Sequence, residues 1–278
     1  MAEIITGKAN KNQKQDSAEM SFWEHLDALR GHLFRSAIAL LVFFVVAFLN
    51  RKLIFDQIIL APKESTFFTN QLFCKLGNWL NLEGMCPGSL NLEIVNLNLS
   101  GQFTTHMAIS FFAALVLTVP YIIWEFWRFL KPALYEKELQ YSKHAVLVMS
   151  LLFIFGVLFS YFLIVPLTIN FFGNYHVSDT VENQISLASY ISTFLSVTLW
   201  MGIIFELPVL IYFLAKIGIV TPAFLRKIRK YMFVVILTIA AIITPPDVIS
   251  QVLVSVPLFG LYELSIWIAG RTYKEQPE

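Results

Sequence analysis

Residues 145–172, AVLVMSLLFIFGVLFSYFLIVPLTINFF, decide the fold. The run carries no charged side chain and exceeds the ~20 apolar residues that a helix needs to cross a bilayer. Within one such segment only a helix satisfies all its own backbone N–H and C=O groups, so the run reads as a transmembrane helix. Working outward, similar runs lie at 103–124 and 187–215, then at 33–50 and 248–269. A further run at 231–244 falls short of a full span. It meets the last run through Pro245-Pro246-Asp247, a turn signal with Asp247 placed as helix cap, so the fifth and sixth spans read as short helices in a tight hairpin. The 278 residues are 57% hydrophobic and 14% charged, too apolar for a soluble domain of this length. The expected fold is an all-α integral membrane protein, with six transmembrane helices in one domain over 21–270. The tail 1–20 is polar, lacks the apolar core of a cleavable signal and reads as disordered; 271–278 form a second tail.

Basic residues orient these spans. Six spans put both termini on one face, together with the connectors 128–143 and 216–230. That face holds Arg30, Arg35, Arg128, Lys131, Lys137, Lys143, Lys216, Arg226, Lys227, Arg229, Lys230 and Arg271, besides the lysines of both tails. The opposite loops hold only Arg51, Lys52, Lys63 and Lys75. Lys and Arg beside span ends are retained in the cytoplasm, which places both termini there. Ser21 and Glu24 have the spacing of a capping box, so the first helix is expected to start at Ser21, lie at the membrane surface and run into the first span. Thr221-Pro222 is a second helix start, a capping hydroxyl before a proline that needs no N–H. Pro120, Pro166, Pro208 and Pro257 fall inside spans, and together they predict bent helices around a concavity. No internal repeat is evident, which argues against an inverted-repeat transporter.

Few residues carry chemistry. Neither H-E-x-x-H nor G-x-S-x-G occurs, and the five histidines are scattered, so neither a metal, a cofactor nor an enzymatic activity is expected. Glu206 is the sharpest signal. It stands inside the fourth span with no basic residue within a helical turn, at a cost of about 3 kcal/mol or more for an ionised acid in hydrocarbon. It must be neutral, face water or meet a partner; a structural acid bonded to a neighbouring span is the plainer alternative. Pro208 is expected to kink that helix at the carbonyl of Ile204. In the connector FLKPALYEKEL, Glu136 and Glu138 are carboxylates on an otherwise basic face, able to accept paired hydrogen bonds from guanidinium groups or simply to form local ion pairs. Cys74 and Cys86 share one outward loop and are either a disulfide or two separate thiols.

Several segments resemble the TatC family. The segment 22–33, FWEHLDALRGHL, is similar to the family's F-x-x-H-L-x-E-L-R-x-R-L; Pro120, Trp127, Phe129, Pro132-Ala133-Leu134-Tyr135 and Glu138 match its second span and connector. Phe205-Glu206-Leu207-Pro208 and Thr244-Pro245-Pro246-Asp247-Val248-Ile249-Ser250-Gln251 match its F-E-x-P and T-P-P-D-x-x-S-Q. The resemblance implies a curved, concave bundle in the bacterial inner membrane. It implies a receptor for the twin-arginine signal peptides of folded cargo. It further implies self-association, TatA and/or TatB single-span partners, and export powered by the proton-motive force, with lipid but no nucleic acid as surroundings. Signal-peptide binding would fall to Glu138, Phe129, Arg30, Asp27 and Glu136, and intramembrane contacts to Glu206, Thr244, Asp247 and Gln251. The pattern's first Glu falls on Ala28, with Asp27 one position earlier, and His32 stands where Arg is usual. The rival reading is a proton-coupled small-molecule transporter using Glu206; a twin-arginine peptide tested against its twin-lysine variant separates the two.

Overall fold

The computed structural model describes residues 22–64, 66–80, 93–130, 139–178, 183–244 and 248–273. Among the described residues, five helical runs are long and apolar enough to cross a membrane. The first is in α1 (Phe22–Leu49), a single helix from the predicted surface segment into the span. The proposed cap at Ser21 lies outside the described residues. The second is in α3 (Gly101–Leu130). The third comprises α4 (Leu139–Phe159), a π-helical stretch Ser160–Ile164 and α5 (Val165–Asn174). The fourth comprises α6 (Leu187–Ile204) and α7 (Leu207–Lys216), and the fifth is in α9 (Val248–Thr272).

A further helix, α8 (Pro222–Ile243), has 22 residues, but its first turns carry Arg226, Lys227, Arg229 and Lys230. Its apolar part begins at Tyr231, where the sequence puts it. At 25 residues α9 spans comfortably, so shortness is confined to α8. The start of α8 is as read: the Thr221 hydroxyl accepts the Phe224 N–H at 3.1 Å, and Pro222 follows it. Before it, α7 ends in a Schellman turn. The Ile219 N–H donates to the Leu214 carbonyl at 3.0 Å and the Gly218 N–H to that of Ala215 at 3.2 Å, with Gly218 at φ 81°, a conformation that side chains disfavour.

Two of the four span prolines interrupt their helices. At Pro208 the fourth run breaks into α6 and α7; at Pro166 the third passes through its π-helical stretch into α5. Lacking an N–H, Pro166 leaves the carbonyl of Phe162 without its helical donor. Thr69, on α2 (Phe68–Leu80), supplies one from its hydroxyl. Pro120 and Pro257 lie inside unbroken helices.

The helices α4 and α6 touch through glycine. A Cβ on Gly156 would meet the Met201 carbonyl oxygen at 2.7 Å, and one on Gly202 would meet the Phe153 ring at 2.7 Å. Such close approach of backbones is how spans associate where no water drives them together. Beyond this contact Met201 and Phe205 join Ala240, Val254, Leu258 and Tyr262 in the main buried cluster, which draws together α6, α8 and α9. Helix α1 packs chiefly on α3 and leaves Leu33, Phe34, Leu41 and Leu49 facing outward.

The segment after α1 caps one end of the bundle. Tyr190 and Tyr161 donate to the carbonyls of Ile59 at 2.7 Å and Ile58 at 3.0 Å. The buried Asn70 amide donates to the carbonyls of Pro62 (3.1 Å) and Glu64 (2.8 Å) and accepts from Asn170 at 2.9 Å. A two-residue parallel pairing, β1 (Ile94–Val95) with β2 (Ile185–Ser186), fastens the same cap to the α5–α6 loop; the sequence gives no sign of it. Cys74, on α2, is disulfide-bonded, while Cys86 lies outside the described residues.

Candidate functional site

Two places bear candidate functional residues, at different depths of the bundle. The shallower lies where α1 and α3, running antiparallel, meet near the N-terminus of α1. Its centre is Glu125, a residue the sequence analysis passed over. Its side chain is 1% exposed, yet both oxygens are occupied. The His32 Nδ1 lies 2.5 Å from Oε2; the Tyr121 hydroxyl donates to Oε1 at 3.0 Å, and the Arg128 guanidinium reaches Oε1 at 3.3 Å. Arg35 adds positive charge at 3.8 Å from Oε2. Tyr121, Glu125 and Arg128 share one face of α3, as spacings of four and three require, and His32 and Arg35 share one face of α1. A buried carboxylate is tolerated when paired and hydrogen-bonded in this way. The same spacing was the available signal: an acid inside an aromatic run, with Tyr four before and Arg three after.

Of the residues predicted to bind a signal peptide, one touches this cluster. Phe129 sits edge-on to the His32 ring, centroids 6.2 Å apart. Arg30 and Asp27 are exposed on the preceding turns of α1. Of the predicted residues, Phe129 is thus brought to His32, with Arg30 and Asp27 earlier along the same helix α1. Glu136 and Glu138 lie outside the described residues, in the connector that follows α3 in the sequence.

The deeper place is Glu206, at the break between α6 and α7. Its backbone carbonyl accepts the N–H groups of Val209 and Leu210, each at 3.0 Å, but its side chain caps nothing. Both carboxyl oxygens are buried without a hydrogen-bond partner of normal geometry; the nearby polar backbone is that of Phe153 on α4. The other predicted intramembrane residues do not join it. Thr244 donates to the carbonyl of Ala240 at 2.7 Å, closing its own helix, and the Gln251 amide donates to the carbonyl of Leu237 at 3.2 Å, tying α9 to α8. Asp247 lies outside the described residues. The α8–α9 hairpin is further locked by Arg229 on Glu263 at 2.7 Å. Among the described residues no group of His, Cys, Asp and Glu could hold a metal ion.

Comparison with known proteins fits this arrangement. The family model of the Sec-independent protein translocase protein (TatC) matches residues 24–257. The chain is 40% identical over 265 residues to Sec-independent protein translocase protein TatC of Blattabacterium sp. subsp. Periplaneta americana (strain BPLAN), covering 95% of this chain and 100% of that protein. It is 35% identical over 257 residues to TatCy of Bacillus subtilis (strain 168), covering 92% and 91%. A crystal structure of the twin arginine translocase receptor TatC in DDM superposes with a TM-score of 0.67 at 33% identity, covering 88% of this chain and 99% of that one.

Proposed function

This chain belongs to the TatC family of Sec-independent protein translocase proteins, and from that membership we propose that it is the receptor for twin-arginine signal peptides. It is a multi-pass membrane protein of Tat translocation. We place both termini in the cytoplasm and assign the chain a scaffolding role. It gathers further copies of itself and TatA or TatB single-span subunits around folded cargo, in a cycle driven by the proton-motive force. The observation that supports the receptor reading is the contact of Phe129 with His32, on a helix that exposes Asp27 and Arg30 in its preceding turns, directly before the connector that holds Glu136 and Glu138 in sequence. Two arginines of a signal peptide need carboxylates there. Arg offers a planar fork that Lys cannot reproduce, so discrimination between the two is the expected signature.

The test is binding of a twin-arginine peptide and its twin-lysine variant to the purified chain. Tighter binding of the former supports the receptor reading; equal binding defeats it. Glu138→Ala is expected to weaken the twin-arginine peptide by about 1.5–3 kcal/mol, the range of a hydrogen bond to a charged group. Unchanged affinity in that variant removes Glu138 from the site. Asp27, one position before Ala28, is assigned the part of the carboxylate that the family pattern places at 28.

Glu206 is assigned to assembly. An acid with both oxygens buried and unpartnered has capacity left for a donor on an incoming span. We place that donor near the N-terminal end of a TatA or TatB helix. One such bond within lipid contributes about 0.6–2 kcal/mol, enough to bias a reversible association. Crosslinking of the small subunit to α6 or α7 is expected to disappear in Glu206→Ala and to persist in Glu206→Gln. The same crosslinks in all three proteins, with normal export, would make Glu206 a purely structural acid.

Cys86 is assigned as the partner of Cys74. Neither thiol is expected to react with a maleimide on intact cells until a reductant is added, and labelling without reductant contradicts the pairing.

A further inference from the structure

Of the four basic residues in the loops opposite the termini, three gather around one cavity. Arg51, Lys52 and Lys63 line a space of about 700 Å³ where α1 ends and α3 begins. Basic residues are sparse on this side, so their concentration at one point calls for a local cause. Among the described residues none of the three takes part in an ion pair, although Asp56 shares the cavity wall. His106, also in the wall, is engaged elsewhere: its ring stacks on Phe48 with centroids 4.2 Å apart and reaches the Phe48 carbonyl at 3.2 Å. The cavity thus carries three uncommitted cations against one carboxylate.

The rest of the lining is apolar. Phe55, Leu60 and Phe103 face the space, and Leu49, Leu53 and Phe103 are at least half exposed beside it, at the ends of two membrane-spanning helices. A charged mouth continuous with an outward apolar flank is the shape of an amphiphile. We propose that this cavity holds the phosphate of an anionic phospholipid, with its acyl chains lying along the outward flank of α1 and α3. The Arg51 fork and the two ammonium groups supply charge-assisted hydrogen bonds to the phosphate oxygens. The volume lies within the range of ordinary small-ligand sites. The inference is independent of the receptor reading; with the termini cytoplasmic, the lipid belongs to the outer leaflet.

Native mass spectrometry of the full chain in detergent, equilibrated with equal amounts of phosphatidylglycerol and phosphatidylcholine, tests it. The basic opposite face also attracts anionic lipid, so the readout is the difference between proteins. The wild type is expected to retain phosphatidylglycerol several-fold over phosphatidylcholine. The combined variant Arg51→Gln, Lys52→Gln, Lys63→Gln is expected to lose a large part of that preference. Added inorganic phosphate is expected to leave the wild-type preference unchanged. An equal preference in wild type and variant overturns the proposal, and displacement of the lipid by inorganic phosphate overturns it in favour of a free-anion site. Should the combined variant fail to fold, Arg51→Gln and Lys63→Gln singly each lower the preference if the proposal holds, and an undiminished preference in both overturns it.

Discussion

Glu125→Ala is expected to cost the folded protein about 3 kcal/mol, at the low end of what removing one member of a buried ion pair costs. The low end follows from the exposure of the partners. Arg35 and Arg128 are 54% and 46% exposed and can turn their charge to water once the acid is gone. His32 is 18% exposed and Tyr121 is half-buried, so these two would lose a partner that water replaces poorly. Glu125→Gln keeps the volume and an acceptor for Tyr121, and is expected to cost about 1 kcal/mol. Denaturant unfolding of the detergent-solubilised protein measures both. A double-mutant cycle with His32→Ala isolates the pair, and strictly additive losses would show that the two residues are not coupled. Because Phe129 packs on His32, Glu125→Ala is also expected to weaken signal-peptide binding. Glu138→Ala is expected to weaken binding without loss of stability, which distinguishes a residue that shapes the site from one that touches the ligand.

The second large effect concerns the glycine contact of α4 and α6. Gly156→Ala puts a methyl group 2.7 Å from the Met201 carbonyl oxygen and 2.9 Å from the Phe205 Cβ. Met201 on α6 and Phe205 just after it both belong to the main cluster, where a few tenths of an ångström are hard to find. The two helices must separate, at about 1–3 kcal/mol, the usual cost of overpacking. Gly202→Ala meets the Phe153 ring at the same 2.7 Å, but an aromatic ring can swing where a backbone cannot. The expected order is therefore Gly156→Ala clearly worse than Gly202→Ala, read from thermal unfolding and yield of folded protein. Equal effects would mean that the Phe153 ring is as immobile as the Met201 backbone. The break before Pro208 follows directly after this contact, so Gly156→Ala is also expected to displace Glu206 and reduce crosslinking of the small subunit.

Legibility in the sequence follows the range of the interactions. Thr221-Pro222, the break at Pro208 and the charge-free run 145–172 depend on neighbours within a turn or two, and each stands where the sequence puts it. The family is equally legible, since its motifs are short and contiguous. What escaped depends on distant partners. Glu125 draws no notice in the sequence, because its closest partner, His32, comes from 93 positions away on α1. His32, a departure from the family pattern, becomes intelligible only as the near partner of that acid. The β1–β2 pairing needs two short segments, each without strand periodicity, to meet across the cap. In the other direction, Thr244 and Gln251 stand out in sequence as intramembrane polar residues, and only the structure shows that backbone carbonyls of α8 take their hydrogen bonds.

The bond between Thr69 and Phe162 has a bearing on how the chain is made. Position 69 leaves the ribosome long before position 162, so the hydroxyl already exists when the third span enters the bilayer. A proline in that span strips a carbonyl of its partner in a medium with no water to replace it. With the donor on a segment made earlier, the carbonyl freed by Pro166 can be solvated by protein as the span forms. With both termini cytoplasmic, as proposed, chain order thus spares the nascent span an interval with a naked acceptor in lipid, because residues 51–80 are made, and on that topology cross, before the third span.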